Sequence, residues 1–478
     1  VYWKDNSMSD WQLYTSGLPQ NMEVWGGCGI FFRDNKLRLS TTRGIWETTL
    51  ATPVLPVAQP MADKRSINCS ADTVYFTDYS ILNYSGAEWQ WSFPGAAYVS
   101  SATARNPKVV YSNPGYYRVT LTVTDVLGNS NTKTIDSMIV FKNNYCKADT
   151  MAGKSLVMKG TNTPVSIGKA NINSNTFSMS CWIKPSGKQN SFAQLISHDP
   201  YPGSSYGFGL GFAFLGYTPN LNLCYTDNIV GYGNSSSLIA DSTKWNYVVL
   251  TYSATGVTIY LNGKKQIVRS GTMPIIDLSQ TPFYINKDIH NQGGYYKGEI
   301  DEVKLYNYVL SESEVREKMH LIPSQPITEN GLLKYCQFNY IDSATTTAYE
   351  LVSKTLLTIP DTSFINNKGE VPIGTGMVQT LSNVSSGGLK DFSSLGLKLY
   401  LKTATGTIYP NGDLVGFKLN IRPHTMPDAR RAEPDSTWYI VNNYGTNQTF
   451  TLPDSISFES TRITPGNYSA GNFRLYTR

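Results

Sequence analysis

The sequence predicts an all-β protein made of tandem β-sandwiches, and three observations support this fold class. Residues 89–125 alternate apolar with polar side chains, which is the two-residue period of a strand with one buried face. Residues 245–268 repeat this alternation around Asn262 and Gly263, a pair that supplies the positive φ angles of a tight hairpin turn. Tyrosine is common, with 32 residues, while charged residues make up only 16% of the chain, as expected for many short strands.

Charge and hydropathy exclude two classes of partner. The 40 basic and 35 acidic residues are mixed along the chain and leave a net charge of +5, so the basic patch of a nucleic-acid binder is not expected. No apolar run is long enough to cross a bilayer, and Val1 does not begin a signal peptide. We therefore expect no membrane span and, if the chain is exported, a processed piece of a longer protein.

The 89–125 segment resembles the PKD domain family. A strand carrying Trp89 leads through a proline-glycine turn to Asn106-Pro107, and a strand of alternating aromatic and aliphatic residues then ends at Asp125. The resemblance implies an immunoglobulin-like sandwich that serves as a spacer or a binding unit in secreted and surface proteins.

A second resemblance covers residues 155–321. Four segments are similar to LamG-like, or concanavalin A-like, jelly rolls: FSMSCWIKP from Phe177, WNYVVLTY from Trp245, YLNG from Tyr260 and GEIDEVKLYN from Gly298. After them, Ser311 and Glu314 form the capping box of a short helix. The resemblance implies two packed antiparallel sheets that bind a glycan, a protein or a structural calcium ion, in most members without any chemistry.

The first fifty residues are similar to the last blade of a sortilin-like or BNR-type β-propeller. Their clearest strands are predicted at 11–14, 29–32 and 37–41. A single blade cannot bury both of its faces, so this interpretation places the rest of the propeller upstream. A small stand-alone β-piece is the alternative.

These resemblances divide the chain into five segments. We predict an incomplete propeller-like blade (1–50), a proline-rich linker (51–65), a PKD-like domain (66–142), a LamG-like jelly roll (150–322) and a C-terminal β domain, truncated at its end (327–478). No family is recognised for the last segment, where a further β-sandwich is the default for such strand spacing.

Six cysteines lie far apart, without the close pairs typical of a metal-thiolate or redox site. Cys69 and Cys146 bracket the PKD-like segment, whereas Cys181 and Cys224 both fall in predicted strands. One or two disulfides or buried free thiols are both consistent with this spacing.

Catalysis is not expected, and no catalytic residue is assigned. Glu299, Asp301 and Glu302 superficially resemble the catalytic strand of jelly-roll glycosidases. Retaining hydrolysis needs two carboxyl groups about 5 to 5.5 Å apart, and strand alternation predicts that Glu302 faces away from the other two. The histidines at 198, 290, 320 and 424 lack metal-site or triad spacing and are predicted at the surface.

Ligand binding is expected in aromatic and polar loops between the jelly-roll strands, because sandwiches collect their loops at the ends. The candidate binding residues are Asp199, Tyr201, Tyr206, Asp227, Asn228, Asp288, His290 and Tyr295. Aromatic rings of this kind stack on sugars, and the polar groups bond to hydroxyls. The alternative is that these residues only keep long loops soluble. No cofactor is expected beyond a structural calcium ion. Lys159 stands where members of the LamG-like family carry an acidic residue of the usual calcium site, so Asp288 and Asp301 are left as the candidate ligands.

A scattered tripeptide, Asp followed by Ser or Thr and then an apolar residue or Thr, resembles the O-glycosylation signal of Bacteroidota. The candidate acceptors are Thr73, Ser137, Thr150, Ser242, Ser343, Ser436 and Ser455. A composition rich in Ser, Thr and Asp is the alternative source of these tripeptides. Together with the modules, they favour a large exported surface protein of that phylum.

The functional hypothesis is therefore a non-catalytic segment of an extracellular or cell-surface protein that acts in adhesion or glycan binding. Its expected partners are a glycan or a cell-surface protein, and outer-membrane export components. Two alternatives remain open: targeting modules of a secreted hydrolase or protease whose catalytic domain lies outside this chain, and a structural surface filament or cargo of the type IX secretion machinery.

Overall fold

The structure of the chain, a computed structural model, describes residues 2–4, 8–13, 30–33, 36–49, 55–67, 69–70, 72–142, 153–199, 208–212, 222–227, 231–239, 242–289, 293–342, 345–420, 438–447 and 455–458. The chain divides into two compact units, Val1–Asn144 and Tyr145–Arg478. Strands dominate both units, and the residues just given contain one α-helix. The predicted all-β fold class is confirmed.

The first unit opens with small sheets in the segment predicted as a blade. Its strands are β1 Tyr2–Trp3, β2 Gln12–Leu13, β3 Ile30–Arg33, β4 Lys36–Thr41 and β5 Gly44–Thr49. β1 pairs with β2, while β3, β4 and β5 form a three-stranded antiparallel sheet. Leu39 is buried and Ile45 is exposed, so this sheet covers only part of its apolar surface. Membership of a propeller stays a prediction.

A two-layer structure, the first sandwich, completes this unit. Its strands are β6 Pro60–Ala62, β7 Ser66–Ile67, β8 Thr73–Asp78, β9 Glu88–Ser92, β10 Tyr98–Val99, β11 Lys108–Val110, β12 Gly115–Thr124 and β13 Ser130–Phe141. They form two sheets, in the orders β10-β11-β8-β6 and β7-β13-β12-β9. Val74, Phe76 and Val109 from the first sheet pack on Trp91 and Leu121 from the second, as the alternation predicts.

Part of the predicted linker belongs to this sandwich. β6 and Val57 both lie in the 51–65 segment that is predicted as a proline-rich linker. β6 nevertheless pairs with β8, and Val57 forms an isolated bridge with Ile81. Proline density alone suggested an extended connector. Pro60 begins β6, a position at which a missing N–H is tolerated.

The second unit begins with a larger two-layer structure, the second sandwich. Its strands are β14 Ser155–Lys159, β15 Val165–Gly168, β16 Asn173–Ser174, β17 Phe177–Pro185, β18 Gln194–His198, β19 Phe208–Phe212, β20 Asn222–Asp227, β21 Gly231–Leu238, β22 Asn246–Ser253, β23 Gly256–Leu261, β24 Lys264–Ser270, β25 Ile276–Asp277, β26 Phe283–Ile285, β27 Lys297–Tyr306, β28 Leu332–Cys336, β29 Thr347–Tyr349, β30 Leu356–Thr358 and β31 Ile365–Asn366. The single helix, α1, spans Glu312–Lys318.

Two sheets enclose the core of this sandwich. One has eight strands, in the order β24-β23-β22-β17-β27-β14-β31 with β28 also on β27, and the other runs β15-β26-β18-β19-β20-β21. Ile183, Leu250 and Ile300 from the eight-stranded sheet share one buried core with Leu210 and Ile285 from the six-stranded sheet. The arrangement agrees with the predicted jelly roll.

Two local predictions in this sandwich are confirmed. Asn262 and Gly263 have φ angles of 51° and 78°, as a tight hairpin between β23 and β24 requires. Ser311 caps α1: Glu314 N donates to Ser311 Oγ at 3.3 Å, and Ser311 N donates back to Glu314 Oε2 at 2.8 Å.

The eight-stranded sheet does not end at the predicted boundary of 322. β28 pairs with β27 from Val303 to Tyr306, and β31 pairs with β14. Both strands come from the segment assigned from sequence to the C-terminal domain. Pairing between strands so far apart in sequence leaves no local pattern, so the sequence alone places this boundary too early.

A third sandwich follows, with strands β32 Gly376–Val384, β33 Gly388–Phe392, β34 Leu397–Leu401, β35 Gly412–Leu419, β36 Trp438–Asn443 and β37 Ser455–Phe458. They form two three-stranded sheets, β32-β35-β36 and β33-β34-β37. The sequence pattern also predicts a strand at 449–452, which lies outside the described residues. Arg316 of α1 holds this sandwich to the second one: its Nη1 lies 3.0 Å from Asp413 Oδ2, and its guanidinium lies 4.2 Å from the Tyr444 ring centre.

The cysteines divide between both alternatives left open by the sequence. Cys69 is disulfide-bonded, to a partner outside the described residues. Cys181, Cys224 and Cys336 are buried free thiols. Burial raises the pKa of Cys224 to about 12, so it stays protonated, and its Sγ donates to the Phe212 carbonyl at 3.1 Å.

Candidate functional site

The outer face of the six-stranded sheet has an unusual row of small side chains. Ser197 pairs with Gly209, and Gly209 pairs with Thr226 on the next strand. Directly paired residues of an antiparallel sheet project to the same side. Because Ile196 and Leu210 face the core, the Ser197-Gly209-Thr226 row faces away from it. We call this row and its neighbours the glycine face.

Two glycines of β19 leave no room for a side chain on this face. A Cβ at Gly209 would lie 2.2 Å from Gln194 Oε1, and one at Gly211 would lie 2.4 Å from the Ala193 carbonyl oxygen. Any larger residue would therefore displace a neighbour. Because these two positions are glycines, the side chain of Gln194 and the backbone of Ala193 lie close against β19 on this face.

Two polar atoms on the glycine face have no hydrogen-bond partner among the described residues, Gln194 Oε1 and Thr226 Oγ1. The amide of Gln194 is anchored, because its Nε2 donates to the Phe192 carbonyl at 2.7 Å. Leaving a buried polar atom unpaired costs about 1 to 3 kcal/mol, so each of these two atoms would gain stability from a hydrogen-bond partner. They flank Gly209 on its two sides.

An ion pair and an aromatic ring border the same face. Tyr284 pairs with Ser197 and so points outward, and Lys287 Nζ lies 4.3 Å from the centre of its ring. The same ammonium lies 3.2 Å from Asp199 Oδ2. Thr281 Oγ1 fixes the backbone here by donating to the Asp199 carbonyl at 2.7 Å. Both charges remain partly exposed, so they can bond to an incoming ligand.

A second polar group lies at the other end of β18. Tyr295 forms an isolated bridge with Gln194, and Asn190 Nδ2 donates to the Tyr295 carbonyl at 3.3 Å. Asp288 Oδ2 accepts from Gly293 N at 2.7 Å. Partial burial, and next the charge of Asp288, raise the pKa of Tyr295, so its hydroxyl is protonated and available as a donor at neutral pH.

The structure thus places three of the predicted binding residues around the six-stranded sheet: Asp199 at the end of β18, and Asp288 and Tyr295 near its start. Asp227 ends β20, but its side chain lies outside the described part of the chain, as do Tyr201, Tyr206, Asn228 and His290. Gln194 and Thr226 are not among the binding residues that the sequence predicts. The one available signal was the Gly-Leu-Gly alternation of β19, which indicates a close backbone approach.

The prediction that Glu302 faces away from Asp301 is wrong. Glu302 has a φ of 53°, and the pairing of β17 with β27 shifts register beside it, so strand alternation breaks at this bulge. Tyr335 Oη donates to Glu302 Oε2 at 2.6 Å, and Lys304 Nζ lies 3.1 Å from the same oxygen. Asp301 and Glu302 are completely buried among the aromatic residues that include Trp182, so neither reaches the surface.

Metal binding at Asp301 gains no support from this arrangement. Burial, and next the charge of Glu302, raise the pKa of Asp301 well above its ordinary value, so the proton, with the ammonium of Lys304, balances the cluster. Within the described ranges no group of three or more His, Cys, Asp and Glu side chains is arranged to hold a metal ion. A calcium ion near Asp288 stays a prediction.

Two histidines predicted at the surface are buried. His198 Nε2 lies 3.1 Å from the Thr281 carbonyl, and burial lowers the pKa of the ring to about 4, so it is neutral. His320 Nδ1 donates to the Pro372 carbonyl at 2.6 Å, and its Nε2 accepts from Asn442 Nδ2 at 2.9 Å. Single histidines carry no periodicity, which is why the sequence did not reveal their burial. His290 and His424 lie outside the described residues.

The candidate O-glycosylation acceptors differ in exposure. Ser137 is exposed in β13 with a φ of 51°, where the pairing of β12 with β13 is irregular, and Ser455 is exposed at the start of β37. Thr73 in β8 and Ser242 are partly exposed. Thr150, Ser343 and Ser436 lie outside the described residues. No helix in the described part of the chain is long and apolar enough to span a membrane.

Comparison with protein families identifies both modules. A model of the PKD domain matches residues 54–140, and a model of the concanavalin A-like lectin/glucanases superfamily matches residues 159–316. The chain therefore contains a PKD domain followed by a concanavalin A-like domain, as the motifs predicted. No curated protein matches the sequence.

Solved structures show similarity at low identity. A Bacteroides ovatus protein to which carbohydrate binding has been assigned is 15% identical over 68% of this chain and 95% of its own, with a TM-score of 0.36. Domain 4 of AbnA, an extracellular arabinanase from Geobacillus stearothermophilus in complex with arabinotriose, is 20% identical over 36% of this chain and 79% of its own, with a TM-score of 0.29. A SAP-like pentraxin from Limulus polyphemus is 14% identical over 45% of this chain and 99% of its own, with a TM-score of 0.30.

Proposed function

From a PKD domain followed by a concanavalin A-like domain, we propose that this chain is a non-catalytic, glycan-binding part of an exported cell-surface protein. The glycine face of the second sandwich is the proposed binding surface. The observation that supports it best is a pair of buried polar atoms beside Gly209 of β19. These atoms, Gln194 Oε1 and Thr226 Oγ1, have no hydrogen-bond partner among the described residues.

The chemistry of this surface suits sugar hydroxyls. Gln194 Oε1 accepts a hydrogen bond, while Thr226 Oγ1 both donates and accepts, so a hydroxyl can satisfy either atom. Tyr284 offers a ring face at the edge, and Lys287 and Asp199 add a donor and an acceptor beside it. Tyr284 and Thr226 lie three strand spacings apart, about 14 Å, so the proposed ligand is an oligosaccharide rather than a single sugar.

The absence of catalysis is part of the proposal. Hydrolysis with retention needs two carboxyl groups that both reach the sugar. Asp301 and Glu302 are the adjacent carboxyl groups that the strand offers, and both are completely buried. Nearby Glu299 is held by Ser155 Oγ at 2.8 Å and by Asn366 Nδ2 at 2.7 Å, as expected for a structural group.

The finer assignments are proposals of the same kind. We place the protein outside the cell, in adhesion to a glycan or a glycan-bearing surface, with O-glycosylation at exposed positions such as Ser137. Calcium near Asp288 and passage through outer-membrane export components belong to the same hypothesis. An intact mass above the sequence value supports the glycosylation, and an unmodified mass removes it.

A glycan array with the full chain, followed by calorimetry on each hit, tests the binding proposal. Thr226→Val removes one hydrogen bond at nearly constant volume, Gly209→Ala pushes its Cβ into Gln194 Oε1, and Tyr284→Ala removes the ring. Each is expected to weaken binding by about two- to tenfold, because a hydrogen bond or a stacked ring contributes about 0.5 to 1.5 kcal/mol.

The matched control is Tyr400→Ala, which removes a partly exposed tyrosine from the third sandwich. It should leave the affinity unchanged. Absence of binding to every glycan of the array, with and without calcium, would contradict the proposal. So would equal losses in the three variants and in the control.

A further inference from the structure

The first sandwich has two outer faces of opposite character. On the sheet β7-β13-β12-β9, polar side chains satisfy one another across the strands. Thr122 Oγ1 and Thr132 Oγ1 hydrogen-bond at 2.8 Å, and Arg118 pairs with Asp136. The face of the sheet β10-β11-β8-β6 carries aromatic and apolar side chains instead.

Strand register defines this aromatic face. Val74 and Phe76 point into the core, so Tyr75 between them points outward. Lys108 pairs with Tyr75 and therefore projects to the same side. Its ammonium lies 5.5 Å from the centre of the Tyr75 ring.

The neighbouring strands extend the same surface. Tyr98 pairs with Val110, which is two residues beyond Lys108 and shares its face, and Met61 pairs with Thr77. Their exposed fractions are 56% for Tyr98, 43% for Met61 and 49% for Tyr75. Tyr79, whose N donates to the Gln59 carbonyl at 3.0 Å, continues the outward series of β8 and is also half exposed. We call Met61, Tyr75, Tyr79 and Tyr98 the tyrosine face.

The area of the tyrosine face limits what it can bind. A fully buried tyrosine contributes about 150 to 250 Å², so three half-exposed tyrosines offer about 300 Å² together. Patches of about this size on monomers are often functional. A stable protein interface buries about 800 Å² on each partner, so this face is too small to hold a folded protein by itself. A narrow ligand fits the area better.

The polar groups beside Tyr75 indicate the charge of that ligand. Lys108 offers a cationic donor on one side, and on the other side Asp63, an anionic acceptor, accepts from Tyr75 N at 2.9 Å through Oδ1. The two charges balance. Flat aromatic rings stack on the apolar faces of sugar rings, while such a donor and acceptor bond to hydroxyls.

We propose that the tyrosine face binds a neutral polysaccharide strand, as a second carbohydrate contact in a different domain from the glycine face. The proposal does not depend on the glycine face, because it rests on residues of the first unit alone.

Sedimentation of the full chain with insoluble cellulose, insoluble xylan and, as an acidic comparison, insoluble pectate tests the proposal. All variants carry Tyr284→Ala, so that a failure of the glycine face does not affect the result. Tyr75→Ala and Tyr98→Ala should each weaken binding to cellulose or xylan by about two- to tenfold, because a stacked ring contributes about 0.5 to 1.5 kcal/mol.

Tyr116→Ala is the matched control, because Tyr116 is an exposed tyrosine of the same domain on the opposite sheet. It should bind like the parent. Nitration of tyrosines gives a readout independent of folding: the polysaccharide should protect Tyr75 and Tyr98 and leave Tyr116 reactive. Equal losses in all three variants, tighter binding to pectate, or no binding to any of the three polysaccharides overturns the proposal.

Discussion

Replacement of Lys304 by methionine tests whether the charges of Lys304 and Glu302, buried in the second sandwich, compensate each other. Lys304 Nζ lies 3.1 Å from Glu302 Oε2, with side-chain exposures of 3% and 0%. Removing one partner of a buried ion pair costs about 3 to 5 kcal/mol, because the other charge is left uncompensated. Tyr335 Oη still donates to the same oxygen at 2.6 Å. We therefore expect a loss near the lower end, about 3 kcal/mol.

The double variant Glu302→Gln with Lys304→Met isolates the reason for that loss. It removes both charges, and uncharged replacements of buried ion pairs are often neutral or stabilising. We expect it to recover most of the stability, to within about 1 kcal/mol of the parent, since Tyr335 can still donate to the amide oxygen. Native-state hydrogen exchange, resolved on peptides from β27 and β28, measures the opening free energy of the two strands that carry this cluster.

An exposed pair provides the control for this experiment. Lys398 Nζ lies 3.5 Å from Asp391 Oδ2, with side-chain exposures of 46% and 39%. Solvent screens such a pair, so Lys398→Met should cost less than about 1 kcal/mol. A Lys304→Met loss no larger than that of this control, or a double variant as unstable as the single one, would refute a balanced ion pair in this cluster.

Three further predictions concern the same domain. Asp301→Asn should stabilise the fold at pH 8 and lose that advantage toward pH 4. The raised pKa of Asp301 means that the folded state holds a proton which the unfolded chain releases, so the stability of the parent falls as the pH rises. Thermal melts of parent and variant across this pH range measure the difference. His198 acts in the opposite direction, because its pKa is lowered from 6.5 to about 4. The parent should therefore lose about 3 kcal/mol of unfolding free energy as the pH falls through that range. In His198→Gln, the unfolding free energy measured by urea titration should depend less on pH over the same range. Gly211→Ala should lower the opening free energy of β19 by about 1 to 3 kcal/mol in hydrogen exchange, because its Cβ meets the rigid Ala193 carbonyl, and an unchanged value would show that the strand shifts freely.

Local chemistry predicted the parts of the fold that neighbouring residues decide. Asn262 and Gly263 adopt the positive φ angles of a hairpin turn because of their own residue types. Ser311 needs only Glu314, three residues later, to cap its helix. The alternation of β12 and β22 likewise follows from residues within one strand. These features depend on contacts within a few residues, so a single sequence is enough to reveal them.

Features that depend on distant partners were not predictable. The bulge at Glu302 lies where β27 pairs with both β17 and β28, and the residues around it carry no sequence signal for a positive φ. The candidate site has the same origin: Gln194 Oε1 lies over Gly209 only because β18 and β19 pair in that register. The sequence therefore predicts ligand-binding residues in loops, whereas Gln194 and Gly209 enter the candidate site only through the pairing of two strands.

The contacts of the third sandwich bear on the choice of the glycine face as the proposed binding surface of the second sandwich. The outer face of the eight-stranded sheet is occupied from within the chain: Trp182 Nε1 donates to the Met319 carbonyl at 3.0 Å, and His320 beside it packs on Phe417 at 4.8 Å. Arg316 adds an ion pair to the third sandwich at the same side. A ligand on that side would have to displace a buried, hydrogen-bonded interface, at a cost that weak sugar contacts cannot offset. On the six-stranded sheet, by contrast, the proposed ligand would supply hydroxyls to Gln194 Oε1 and Thr226 Oγ1, which have no hydrogen-bond partner among the described residues.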